Sequence, residues 1–142
     1  MPAPFTDDWA RACCAALNAS AEFRAASGDR PWSIALACDP APSAGIAHAT
    51  AVDFELADGG CRAARVTAPA DARAGVVLRG SYETWAAVVR GDLEPVAAVT
   101  SGRLAVERGS FMTLLPLVGP ARALLAAART VPTELAGEPT GG

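Results

Sequence analysis

Gly91-Asp92-Leu93-Glu94-Pro95-Val96-Ala97-Ala98-Val99-Thr100-Ser101-Gly102-Arg103-Leu104-Ala105-Val106-Glu107-Arg108-Gly109-Ser110 spells a helix stop, a short helix, a second stop and a strand in succession. Gly91 and Gly102 supply the stops, because glycine adopts the left-handed conformation that closes a helix. Asp92 is expected to cap the short helix, which carries Leu93, Val96 and Val99. Leu104 and Val106 then alternate with Arg103, Ala105 and Glu107, the period of a half-buried strand.

Upstream, Ser81 caps a helix bearing Tyr82, Trp85, Val88 and Val89. Val76-Val77-Leu78 before it is a short continuous apolar run, as expected of a strand covered on both faces. Residues 69–74 form a loop. Val52, Phe54 and Leu56 alternate with Ala51, Asp53 and Glu55, and Ala57-Asp58-Gly59-Gly60 turns this strand into a weaker partner over residues 61–68. Trp32, Ile34, Leu36 and Cys38 begin the same antiparallel meander, one face of which should be wet. At the N-terminus Thr6 can cap a helix and Phe5 can staple it. Trp9, Cys13, Ala16, Leu17 and Ser20 share one face of that helix, which Gly28 ends. Downstream, Gly109-Ser110 opens a helix running to about Arg129, kinked or divided at Gly119-Pro120. The expected organisation is one domain over residues 1–130 and a disordered Pro/Gly/Thr-rich tail over 131–142.

Composition removes several classes of function. Net charge is −3 and all 12 basic residues are arginines, scattered from Arg11 to Arg129. Nucleic-acid binding and polybasic membrane anchoring both need a concentrated basic face, so neither is expected. The all-Arg, Ala-rich usage suggests a GC-rich bacterial source. Residues 111–128, the most apolar stretch, are broken by Pro116, Gly119, Pro120 and Arg122, so no membrane insertion is expected. Cys13, Cys14, Cys38 and Cys61 show no C-x-x-C spacing and no signal peptide precedes them. Reduced thiols in a cytoplasm are therefore expected, with Cys13, Cys38 and Cys61 as small core residues.

Catalytic and metal chemistry lack their usual marks. His48 is the single histidine, and nothing around it marks a positioned base. One histidine with unpaired cysteines builds no standard zinc site, and no cofactor motif is present. Asp53 and Glu55 share a strand face, which alternation assigns to solvent. Glu83 and Glu94 sit at helix starts, where the helix dipole accounts for them. The chain is read as a non-enzyme without cofactor or metal.

One feature is present in excess. Phe111, Leu114, Leu115 and Val118 form an apolar stripe, and Met112, Leu117, Leu124 and Leu125 widen it beyond what a helix covering one side of a sheet needs. A buried core helix, the wall of a cavity for an apolar ligand, and a homodimer or partner-docking face all fit this pattern.

Gly80 to Ser110 resembles the type-two sterol-carrier-protein family of lipid-transfer domains. That family's run is a helix, G-x-x-x-P-x-x-A, then G-x-L-x-V-x-G before an apolar C-terminal helix. Gly91, Pro95, Ala98, Gly102, Leu104 and Val106 occupy those places, and Gly109 stands one residue late, after Arg108. Trp9 with Leu17-Asn18 is similar to the family's first helix. The family's lysine-rich surface and peroxisomal C-terminal address have no counterpart here. The resemblance implies an α+β fold, a five-stranded mixed sheet with helices packed on one face and an apolar tunnel between them. It also implies carriage of a fatty acyl or other lipid-like molecule without chemistry. The expected lining is Val77, Trp85 and Val89 with Val96 and Val99, closed by Phe111, Leu114, Leu115 and Val118.

Overall fold

The computed structural model of the chain describes residues 2–135. Helices α1 (Asp7–Ala19) and α2 (Ala21–Ser27) lead into strands β1 (Trp32–Cys38), β2 (Thr50–Ala57), β3 (Gly60–Thr67) and β4 (Val76–Gly80). Helices α3 (Tyr82–Arg90) and α4 (Pro95–Thr100), strand β5 (Leu104–Arg108) and helices α5 (Phe111–Leu114) and α6 (Val118–Arg129) complete it. The strands form one sheet in the order β3-β2-β1-β4-β5. All neighbours are antiparallel except β1 and β4, so the sheet is mixed. This is the α+β architecture expected.

The alternation of apolar residues decides which face receives the helices. Ile34, Leu36, Val52, Phe54, Leu56, Val76 and Leu78 join Trp9, Leu17, Phe23, Trp85, Val88 and Leu124 in one core. The opposite face is not wholly wet. Ala35, Ala37, Ala51 and Val77 form a second small cluster beneath Ala72 and Ala74. Thus the Val76-Val77-Leu78 run is apolar throughout because both of its faces are covered.

Local signals explain most boundaries. Thr6 accepts a hydrogen bond from the Trp9 N–H, and Ser81 accepts one from the Thr84 N–H. Asp58 and Gly59 both have positive φ, 53° and 73°, the two left-handed positions of a type I′ hairpin turn. Three boundaries differ from the sequence reading. The first helix is divided, because the Ser20 hydroxyl accepts from the Phe23 N–H and restarts it as α2. Glu94, not Asp92, caps α4, and Pro95 takes the first helical position, where its missing N–H costs nothing. The C-terminal helix is divided at the 3₁₀ turn Leu115–Leu117, where Pro116 lies, while Gly119-Pro120 fits inside the first turn of α6. Packing also reaches past residue 130: Val131 and Leu135 are buried, and the Trp9 indole donates to Thr133 at 3.1 Å. The rest of the tail, residues 136–142, lies outside the described residues.

The cysteines depart further from expectation. Cys14 of α1 is disulfide-bonded to Cys61 of β3. Beside this link the Asn18 side chain donates to the Cys61 carbonyl at 3.0 Å and accepts from the Cys61 N–H at 2.8 Å. Both contacts fall where the β2–β3 register shifts, so α1 supplies partners where the ladder is irregular. Spacing in the sequence cannot reveal a pair 47 residues apart that meets only through packing. The reduced-thiol expectation is corrected for Cys14 and Cys61, and the cysteines no longer argue for a cytoplasm. Cys13 and Cys38 stay free and buried, and burial pushes both thiols up to about 12, with Asp39 adding to the effect at Cys38.

Thiol titration in denaturant without reductant should therefore detect two thiols, from Cys13 and Cys38, and reduction should raise the count to four. Reduction should also lower unfolding stability by about 2–4 kcal/mol, measured by urea titration, because it releases a long closed loop in the unfolded chain.

Candidate functional site

Leu78 on β4 points into the helical layer and forms the floor of a cleft. Pro95, Val96 and Val99 of α4 form one wall, and Leu114 of α5 with Val118 and Ala121 of α6 form the other. All of these side chains are apolar. Arg122 alone among the lining residues is charged. The space between the walls is small and partly open, about 20 Å³, room for roughly one water. The cleft is a narrow apolar seam.

Glu94 ties the rim together. One carboxylate oxygen accepts from the Val96 and Ala97 N–H groups at 3.0 and 3.1 Å, capping α4. The other accepts from Arg122 Nε at 2.6 Å, joining the start of α4 to α6. Partial burial works to raise the Glu94 pKa, but the Arg122 bond and the two backbone N–H groups outweigh it and hold the carboxyl below its usual value.

The residues expected to line a tunnel separate into groups. Val96, Val99, Leu114 and Val118 meet at the cleft. Trp85 and Val89 lie instead in the main core, and the Trp85 indole is committed to the Ala37 carbonyl at 2.8 Å. Val77 faces the other side of the sheet. Leu115 is 47% exposed beside Met112 at 73%, so the stripe at residues 111–118 does not bury as one surface. The Phe111 side chain lies outside the described residues. Leu78, Pro95, Ala121, Glu94 and Arg122 were not singled out as lining. A run apolar on both faces conceals which of Val77 and Leu78 turns inward, and alanine and arginine carry no periodic signal.

Larger grooves lie on the opposite sheet face. One of about 410 Å³ is bounded by Asp53, Arg65, Val66, Thr67, Asp71 and Arg73. Its charged walls and open shape suit solvent, so volume alone does not make it the better candidate for an apolar molecule. Here Asp53 departs from expectation: it is 6% exposed, and its carboxylate accepts from the Arg73 N–H at 2.7 Å. The segment over residues 68–75 folds across the sheet and needs that acceptor. Glu55 remains exposed, paired with Arg65 at 3.1 Å. His48 is exposed at a distance in sequence from every cleft residue. Among the described residues no three potential ligands gather as for a metal, and no helix is long and apolar enough to cross a membrane.

The model of the SCP-2 sterol transfer family matches residues 7–119, well over half of the chain. The chain belongs to the SCP-2 sterol transfer family. Solved structures agree with the assignment. A crystal structure of sterol carrier protein 2 is 36% identical, covers 91% of this chain and 99% of its own, and superposes with a TM-score of 0.84. A conserved hypothetical protein of Thermus thermophilus, described as possibly a sterol carrier protein, is also 36% identical, with 92% and 90% covered and a TM-score of 0.83. Sterol carrier protein 2 of Yarrowia lipolytica in its apo form shares the fold at 13% identity, with 87% and 89% covered and a TM-score of 0.55. No curated protein matches significantly.

Asp53→Ala should lower stability by about 1–3 kcal/mol, because it strands the Arg73 N–H beneath the covering segment. Glu55→Ala, which breaks an exposed pair, should change it by less than about 1 kcal/mol. Thermal melts of the two variants distinguish the buried from the solvated carboxylate.

Proposed function

We propose that this protein binds and carries an apolar, lipid-like molecule, with a fatty acyl chain as the best-fitting class, and performs no chemistry on it. The observation that carries the reading is the cleft of Leu78, Val96, Val99, Leu114 and Val118, whose lining is apolar apart from one rim arginine. Family membership supports it, and of the two 36%-identical relatives one is sterol carrier protein 2 and the other is described as possibly a sterol carrier protein. Each CH₂ removed from water is worth about 0.8 kcal/mol, so a chain of modest length can offset the cost of parting two apolar walls. The part of the wall best suited to move is the single turn of α5 and the 3₁₀ turn after it. Short helices hold few internal hydrogen bonds, and Pro116 donates none.

Titration with a fluorescent fatty acid tests this reading, together with mass spectrometry of organic extracts of the purified protein. Saturable binding is expected, and Val99→Glu, which puts a carboxylate on the cleft wall, should weaken it at least about tenfold while leaving a folded protein. No saturable binding and no co-purified lipid would overturn it.

A second reading, homodimerisation or docking of a partner through the C-terminal segment, is favoured by Met112 and Leu115 alone, which stand in water on adjoining turns. Light scattering at increasing concentration should then report a dimer that Leu115→Glu dissolves. A monomer at every concentration removes the homodimer.

A further inference from the structure

We propose that the polar face of the sheet carries a second binding site, for a free amino acid with a basic side chain. It lies across the sheet from the apolar cleft and stands independently of the carrier reading. Two grooves, of about 410 and 240 Å³, share Asp53, Arg65 and Arg73 and therefore adjoin. Arg65 and Thr67 of β3 bound the larger one on one side, and Asp71 and Arg73 of the covering segment bound it on the other. Asp53 of β2 is the buried residue at its floor.

Asp53 is the fixed element. It is 6% exposed, and its Oδ2 is committed to the Arg73 N–H. Oδ1 has no hydrogen-bond partner among the described residues, yet none of their fully buried side-chain oxygens is unpartnered, so Oδ1 opens on the groove. A carboxylate withdrawn from bulk water with one acceptor left over suits an ammonium group, whose charge-assisted bond is stronger there than on the surface. Arg65 is already taken by Glu55. The Arg73 guanidinium has no partner among the described residues and lines the same groove. Its fork of N–H donors fits a carboxylate. An ammonium and a carboxylate on one small molecule describe an amino acid. The lining as a whole favours a basic side chain, because Asp53, Glu55 and Asp71 are three negative charges against the two of Arg65 and Arg73. Once the head groups are paired, Asp71 is the charge left over, which attracts a cation and repels an anion.

Titration with L-lysine provides the test, followed by the NMR shift of the Arg73 amide that Asp53 holds, at neutral pH where the amines are charged. Saturable binding is expected. Cadaverine, which is lysine without its carboxylate, should bind about threefold more weakly. The lysine analogue ε-aminocaproate, which lacks the α-ammonium, should bind about tenfold more weakly, as should L-glutamate with its opposite side-chain charge. Arg73→Gln should abolish the difference between lysine and cadaverine. Asp53→Asn keeps an oxygen that can accept from the Arg73 N–H, and it should abolish the difference between lysine and ε-aminocaproate. Melting curves check that both variants are folded; if either is not, the comparison of ligands on the unaltered protein decides. No saturable shift up to about 50 mM lysine, glutamate binding as tightly as lysine, or lysine binding no better than both of its truncated analogues overturns the inference. The same holds if both folded variants keep the ligand ratios of the unaltered protein.

Discussion

Ile34 pairs with Val76 and Cys38 with Gly80 in the parallel ladder between β1 and β4, and that ladder determines where the rest of the chain must go. Parallel neighbours cannot be joined by a tight turn. Here the connection carries the β2–β3 hairpin to one edge and returns across the far face as residues 68–75. The central strands are thereby covered on both sides, by helices on one face and by Ala72 and Ala74 on the other. The ladder's end is equally constrained. A side chain at Gly80 would meet Leu104 at 2.5 Å, and the Trp85 indole lies close by, bonded to the Ala37 carbonyl. Glycine at that point lets α3 start beside the sheet and turn its tryptophan onto β1.

Placing α3 in this way leaves α4 and α6 facing each other over Leu78. Their apolar sides line the narrow, partly open seam. Closing the walls toward each other is favourable because it keeps apolar surface from water. The seam is continuous with the larger core around Trp9, Phe54 and Trp85 through Leu78 and Leu114. The β3 edge of the sheet is held by the Cys14–Cys61 link and the Asn18 clamp.

Much of the fold was legible because the signals are local. Period-two alternation identified β1, β2 and β5, glycine marked the ends of α2 and α3, and Ser81 and Thr6 marked helix starts by hydrogen bonds within three residues. Failures occurred where two local signals competed. Asp92 and Glu94 are both acidic residues near the start of α4, and Pro95 at the first helical position gives the cap to Glu94. Pro116 and Pro120 both interrupt the C-terminal pattern, yet Pro120 falls in a first turn where a proline breaks no helical bond.

The sequence by itself determined the order of most elements, the apolar face of the alternating strands and the resemblance to sterol carriers, because these depend on neighbours a few positions apart. Residues 111–118 looked too apolar for one helix face, and only the tertiary structure divided that excess: Leu114 and Val118 turn to the cleft while Leu115 stays in water. The same holds for Cys14 with Cys61, Asp53 with Arg73 and Glu94 with Arg122. Each pair joins residues far apart in the chain, and no periodicity encodes such a meeting. It follows only from how the parallel ladder directs the helices and the covering segment across the two faces of the sheet.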